Sequence, residues 1–413
     1  MNRSPLFIIF LTVFIDLLGF GIVLPLLPRY GEHFQATGLT LGLLMASFSA
    51  MQFLFAPLWG RLSDRIGRRP VLLVGLIGSA VFYFLFARVT QGGNTGPIYG
   101  LSPLMWLFVT RIGAGIAGAT IPTAQAYIAD VTDAANRGKG MAIIGAAFGV
   151  GFTFGPLIGA PFVPDDPAAG PSAAPGYVAA ALSAIAFLWA FAMLPESLKR
   201  GAGLSRRAHW FDRASLQAAV ARPYIGPILF AMFLTTFAFA QFETTLSLLT
   251  DRLGMSDRGN FLVFAYIGLI LALSQGLLIR RLIPRLGEFW MGLAGVSLMT
   301  VGLLCLGWAS GQHSLGLLLV VLPIAVVGFS ATTPSLQALL SLNSGADEQG
   351  GILGVGQSMS ALARILGPAL ALPLQNWSLP LPYWVGAGLM AVSCGLVFTL
   401  YGAARRPGRV PAG

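Results

Sequence analysis

Twelve runs of mostly apolar residues, each about as long as a bilayer is thick and separated by short arginine-rich gaps, decide what this chain can fold into. A helix needs roughly 20 such residues to cross about 30 Å of hydrocarbon. The runs fall near 5–28, 39–60, 69–89, 103–129, 139–161, 176–195, 224–249, 260–281, 289–309, 315–340, 351–374 and 379–402. Lipid offers the backbone no hydrogen bonds, so each run must satisfy its own N–H and C=O groups as a helix. The expectation is an all-α membrane protein with twelve transmembrane helices. Composition excludes the alternatives: 56% of the 413 residues are hydrophobic and 10% charged, against about 25% charged in soluble chains. Disorder would need the opposite balance. The two cysteines, Cys305 and Cys394, lie in apolar runs and make no disulfide framework. The first run contains Asp16, lacks a small-residue cleavage pattern and is too long for a secretory signal, so it reads as a retained helix.

The formal net charge of +10 does not point to nucleic acid, because the basic residues sit in the gaps. Alternate gaps and the termini carry Arg3; Arg61, Arg65, Arg68 and Arg69; Arg137 and Lys139; Lys199, Arg200, Arg206, Arg207, Arg213 and Arg222; Arg280, Arg281 and Arg285; and Arg405, Arg406 and Arg409. The other gaps carry only Arg29, Arg88, Arg252 and Arg258, a ratio of 19 to four. The positive-inside rule therefore places both termini in the cytoplasm, with the arginines facing anionic membrane lipids. The excess of Arg over Lys, with abundant Ala and Gly, points to a bacterial inner membrane. The basic stretch 196–223 reads as a cytoplasmic linker, with Trp210, Phe211 and Leu216 suited to an amphipathic helix on the membrane. It separates a bundle of six helices over 1–195 from a second over 224–404, and 405–413 forms a cytoplasmic tail.

The two halves repeat. Ala119-Thr120-Ile121-Pro122-Thr123-Ala124-Gln125-Ala126 shares its Ala, Thr, Pro, Gln and Ala with Ala331-Thr332-Thr333-Pro334-Ser335-Leu336-Gln337-Ala338. Gly155-Pro156 matches Gly367-Pro368, and Arg61-Leu62-Ser63-Asp64-Arg65-Ile66-Gly67 has an echo in Arg281-Leu282-Ile283-Pro284-Arg285-Leu286-Gly287, with offsets of 212 or 220 throughout. Parallel repeats of this kind suit a transporter whose halves rock about a site near the bilayer midplane.

The gap Gly60-Arg61-Leu62-Ser63-Asp64-Arg65-Ile66-Gly67-Arg68-Arg69 resembles the signature loop of the major facilitator superfamily. Its Asp64 can pair or cap near a helix end while Arg65, Arg68 and Arg69 bind acidic groups, which makes it a candidate conformational latch. Arg111-Ile112-Gly113-Ala114-Gly115 resembles the family's second motif, whose arginine the resemblance associates with proton coupling. Asp16 and Arg111 both lie roughly 16–18 Å from the same side at 1.5 Å per residue, so an interaction between them is geometrically possible. A permanent structural ion pair is the competing reading. Gly151-Phe152-Thr153-Phe154-Gly155-Pro156-Leu157-Ile158-Gly159 resembles the antiporter motif, with Ala160 where a further glycine is expected; small residues at this spacing let helices approach closely. Leu194-Pro195-Glu196-Ser197 marks the end of a span.

Over its whole length the chain is similar to bacterial tetracycline/proton antiporters and to eukaryotic tetracycline transporter-like proteins, a group implicated with organic anions as well as drugs. Gly140–Thr153 and Ala361-Leu362-Ala363-Arg364 with Gly367-Pro368 look most like the second group. The acid that tetracycline exporters carry beside the tyrosine matching Tyr83 is Phe82 here, and the ninth span has no acid, which points away from tetracycline itself as cargo. The remaining intramembrane acid is Glu243; with Asp16 it is the candidate proton-titrating pair, since charged and neutral forms of such groups can differ by several kcal/mol. Arg364 is the second cation inside a span, a candidate to meet an anionic substrate or Glu243. Gln125, Gln241, Gln337 and Gln357 are candidate cavity-lining groups, with helix–helix hydrogen bonding as the plainer role.

The expectation is a monomeric secondary transporter, a proton-coupled antiporter that exports a small amphiphilic organic compound or drug by alternating access. An organic anion symporter or uniporter of the same fold is the alternative. No cofactor or metal is expected, and enzymatic and ATP-driven mechanisms are disfavoured: there is no Walker A or His-Glu-x-x-His sequence, and His33, His209 and His313 are scattered.

Overall fold

A computed structural model describes residues 5–91, 96–132, 147, 150–151, 153–166, 170–198, 224–312, 314–343 and 349–400. Arg3, Arg137, Lys139, the linker from Lys199 through Arg222, the tail 405–413 and most of Gly140–Gly149 lie outside these residues. The described chain is helical throughout, apart from turns and one isolated bridge between Ile98 and Leu101. Ten helices among the described residues are long and apolar enough to cross a membrane. Gln349–Trp377 adds a further helix of 29 residues.

Two expected single helices are broken, and prolines are the reason. The first span comprises α1 (Pro5–Val23) and α2 (Leu27–His33), with a turn around Pro25 and with Pro28 opening the second piece. The second and third spans are α3 (Gly38–Ile66) and α4 (Arg68–Thr90). The fourth is split into α5 (Pro103–Ala117) and α6 (Ile121–Val131). Pro122 has no N–H to offer the carbonyl of Gly118, four residues before it. That carbonyl accepts instead from Gln52 Nε2 at 3.1 Å, and the nearby Ile116 carbonyl accepts from Trp59 Nε1 at 2.7 Å. Two side chains of α3 thus supply the donors that water would supply outside a membrane.

The fifth span is helical over 153–159, called α7, and the sixth is α8 (Ala174–Met193). The seventh is α9 (Ile225–Arg252). The eighth runs as α10 (Asp257–Leu273), a π-helical turn (Ser274–Ile279) and the short α11 (Arg280–Leu286). The remaining helices are α12 (Glu288–Gly311), α13 (Leu315–Leu342), α14 (Gln349–Trp377) and α15 (Leu381–Thr399).

The chain divides into two compact units: Met1–Trp210 with Leu246–Leu269, and Phe211–Thr245 with Ile270–Gly413. In the first, Ile9, Val13, Leu17, Leu72, Leu76, Tyr127, Ile128 and Ala186 form a buried apolar cluster. In the second, α12 and α13 approach through small residues. A Cβ on Gly302 would lie 2.3 Å from the Ala325 nitrogen, and one on Gly328 2.4 Å from that of Met299. Small residues at these crossings let backbones pack without a hydrophobic driving force, as helix association in lipid requires.

Candidate functional site

Asp16 lies in the interior of α1, half-buried, with the Oδ1 atom enclosed and without a hydrogen-bond partner among the described residues. Ser79 of α4 and Ser183 of α8 are the hydroxyls that act on its carboxylate, and Tyr83 stands in its field one helical turn beyond Ser79. Gly19 gives room for this group: a Cβ there would lie 3.1 Å from the Tyr83 ring and 3.4 Å from Ser183 Oγ. Arg111 is buried, 2% exposed, and its guanidinium lies over the rings of Phe48 at 4.4 Å and Phe20 at 5.8 Å. Nε and Nη1 of Arg111 make no hydrogen bond among the described residues.

Asp16 and Arg111 therefore share a neighbourhood without forming a direct ion pair among the described contacts; Tyr83 is the group that feels both charges. Aromatic faces take over part of the stabilisation that a carboxylate would give the guanidinium. The α4 face that carries Ser79, Phe82, Tyr83 and Phe86 supplies this environment, with Phe82, Tyr83, Phe86, Thr110 and Arg111 lining one small crevice.

The glycines of the antiporter-like motif lie where the fifth span crosses α1, just past Asp16. A Cβ on Gly151 would meet Leu17 Cβ at 2.9 Å, and one on Gly155 would meet Gly21 Cα and C, also at 2.9 Å. A Cβ on Gly21 would be equally tight from the other side, 2.9 Å from the Gly151 carbonyl oxygen. Backbone touches backbone here, so the motif fixes how α1 carries its acid. Farther along, Gly159 faces the Phe261 ring, and the helix bearing Pro156 ends in a 3-10 turn at Ala160–Phe162.

In the second unit, Glu243 is half-buried in α9 and Arg364 of α14 is the cation whose charge acts on it. Arg364 and Gln357, a helix face of α14, are exposed, and Gln337 is half-buried. Gln241 is buried with neither side-chain polar atom hydrogen-bonded among the described residues; its Oε1 lies 3.7 Å from where Gly386 would carry a Cβ. It faces α15. Gln125 in the first unit is exposed. Phe239 stacks on Phe329 with centroids 3.7 Å apart.

The latch-like loop is a network. Arg68 donates to the Asp64 carboxylate, to Ser63 Oγ at 2.7 Å and to Asp130 Oδ2 at 3.2 Å, while Ser197 Oγ also donates to Asp130 at 2.9 Å. Glu196 closes it: its carboxylate accepts from the backbone N–H of Arg68 at 2.9 Å and of Arg69 at 3.2 Å. These are orphan donors at a helix N-terminus, where a carboxylate also complements the helix dipole. Gly67 has a φ of 109°, and a Cβ on it would lie 2.4 Å from Glu196 Oε2, so glycine is required twice over. Glu196, read from sequence as a span boundary, is the cap of α4, and Asp64 pairs with Arg68. Arg69 donates to the Phe191 carbonyl at 2.6 Å and lies over its ring; Arg65 and Gly60 stay at the surface and rim of this network.

Residues 9–368 match the Major Facilitator Superfamily. The chain belongs to that family. Among its relatives is the tetracycline resistance protein, class C, of Escherichia coli, 31% identical across 95% of this chain and 96% of that one. Multidrug resistance protein 2 of Bacillus subtilis is 28% identical, covering 96% of this chain and 95% of its own. The crystal structure of the human organic anion transporter MFSD10 (TETRAN) superposes with a TM-score of 0.69 at 27% identity, covering 96% of this chain and 99% of that one. Members of the Major Facilitator Superfamily are transporters, so this is an integral, multi-pass membrane transporter and not an enzyme. The resemblance read from the Gly60–Arg69 and Arg111–Gly115 motifs and the whole-chain likeness to tetracycline exporters agree with these matches.

Proposed function

We propose that the protein is a proton-coupled antiporter that exports a small amphiphilic organic compound by alternating access, with two six-helix halves and both termini in the cytoplasm. The observation that carries this reading is Asp16: an acid in a membrane helix, half-buried, with an enclosed oxygen that has no hydrogen bond among the described residues, at a glycine-lined crossing of two helices. A permanent structural charge would be expected to have its acceptors filled. An acid that gains and loses a proton needs a setting in which both forms are tolerated, and hydroxyls such as Ser79 and Ser183 can donate to one form and accept from the other. Glu243, opposed by Arg364, is the second candidate group and lies at a different level of the other half of the chain. Proton occupancy then biases a two-state equilibrium by the difference in its affinity for the states.

Arg364 supports the second reading, in which the cargo is an organic anion, because its guanidinium is exposed and, besides the charge of Glu243, offers planar donors suited to a carboxylate or sulfonate. One experiment serves both readings. Purified protein in proteoliposomes with a trapped pH indicator is given ethidium, tetracycline or an aromatic sulfonate under an imposed proton gradient. Proton release that follows cargo addition, and that disappears in Asp16→Asn or Glu243→Gln, is expected. Cargo movement with unchanged coupling in both variants would refute the assignment.

A further inference from the structure

Arg29 falls in a gap by sequence, yet the structure buries it: the residue is 8% exposed within α2. Its guanidinium fills with acceptors from a single segment more than 200 residues away. Nε donates to the Ser247 carbonyl at 3.3 Å, Nη2 to Thr250 Oγ1 at 3.1 Å, and Nη1 to the Met255 carbonyl at 2.9 Å and Asp257 Oδ1 at 3.0 Å. Asp251 adds a carboxylate oxygen at 3.4 Å. The carbonyl of Pro25, at the break between α1 and α2, accepts from Ser247 Oγ at 2.7 Å and from Asn260 Nδ2 at 2.9 Å. Asn260 in turn accepts from Thr250 Oγ1 at 2.9 Å, and Ser247, Thr250 and Asn260 are all fully buried.

The receiving turn is built for this. Gly254, at a φ of 76°, lets the Met255 N–H reach the Thr250 carbonyl at 3.0 Å and its own N–H reach Asp251 at 2.8 Å, which ends α9 and turns the Met255 carbonyl and both aspartates toward one point. Because α3 runs 29 residues from Gly38 to Ile66, about 43 Å at 1.5 Å per residue, this cluster and the Arg68 network lie at opposite ends of the first unit.

We infer that Arg29 is the bolt of a gate on the face opposite the Arg68 network: its guanidinium fastens the α9–α10 turn over α2, and leaves those acceptors when the protein opens on that side. The inference rests on the alternating-access reading, but not on the identity of the cargo or on proton coupling. An arginine suits the task because five N–H donors in one rigid plane can hold several acceptors at once and let go together. A lysine in the same place would offer a single point charge.

The test reads opening directly. In the full chain carrying Cys305→Ser and Cys394→Ser, a cysteine replaces Leu26, which is 0% exposed beside the Pro25 carbonyl. Its reaction with a charged methanethiosulfonate reagent is timed in proteoliposomes. Arg29→Met is expected to raise the rate about tenfold or more, the scale of losing one charge-assisted hydrogen bond. Asp257→Asn, which keeps the side-chain volume, is expected to raise it less, and serves if Arg29→Met does not yield monodisperse protein. Ala186→Cys, 0% exposed in the apolar cluster of the same unit, is the control and is expected to stay unreactive. An unchanged rate at position 26 in folded variants overturns the inference. So does an equal rise at positions 26 and 186, which would mean general loosening.

Discussion

Gly155→Ala is the substitution for which the crossing of α1 and α7 gives the sharpest expectation. The added methyl carbon would stand 2.9 Å from both Cα and C of Gly21 and 3.1 Å from the Leu18 carbonyl oxygen. All three neighbours are backbone, so no side chain can swing away and the helices must part by several tenths of an ångström. Overpacking of this kind costs about 1–3 kcal/mol, which exceeds the gain of roughly 1 kcal/mol that alanine brings over glycine in a helix. Gly388→Ala in α15 isolates that gain, because nothing lies within 4 Å of its Cβ position. Unfolding of the two variants in mixed micelles, followed by tryptophan fluorescence, is expected to order them as Gly388→Ala at or above the parent and Gly155→Ala below it. Since Leu17 and Leu18 adjoin Asp16, cargo-driven proton release should fall in Gly155→Ala and remain in Gly388→Ala. Equal stability and equal coupling in both would refute the claim that this crossing positions the acid.

Two further expectations concern single contacts. Glu196→Ala removes the acceptor for the first two N–H groups of α4 and is expected to lower stability by about 0.5–2 kcal/mol, the range for a lost helix cap; an unaltered unfolding midpoint would count against the capping role. Arg111→Lys keeps the charge but loses the planar contact with Phe48 and Phe20, worth about 0.5–2 kcal/mol. Cargo-driven proton release by that variant is expected to fall well below the parent, and full activity would show that charge alone suffices at position 111.

The spans were legible because an apolar run of bilayer length admits few structures, but the breaks at Pro25 and Pro122 were not, because a run that long reads as one helix whether or not a proline interrupts it. The Asp64–Arg68 region was legible as a network for a similar reason, since glycine and acid at fixed spacing serve no purpose in a plain topological signal. What could not be read was any contact that joins distant segments. Arg29 looked like one of four basic residues in the poorer gaps until Ser247, Thr250 and Asp257 were found around it. Glu196 looked like a terminus marker until the N–H groups of Arg68 and Arg69 were found on its carboxylate. Depth along a helix brought Asp16 and Arg111 to one level, but rotation about the helix axis decides what a side chain meets, and rotation gave Arg111 to Phe48 and Tyr83. A usable signal did exist for the last: aromatic residues at positions 82, 83 and 86 repeat at helical spacing on the face of α4 that turns toward α5.

The interruption of the fourth span has a consequence for how such a chain can change over generations. Proline at position 122 strands a carbonyl in oil, and the amide of Gln52 on another helix serves as its private solvent molecule. Neither is fully useful without the other: Gln52 beside an unbroken helix would bring an idle polar amide into lipid, and Pro122 without Gln52 would leave the Gly118 oxygen with nothing to bind. Drift at either position is therefore conditional on the other, and the bend they maintain together is harder to lose than one held by proline alone.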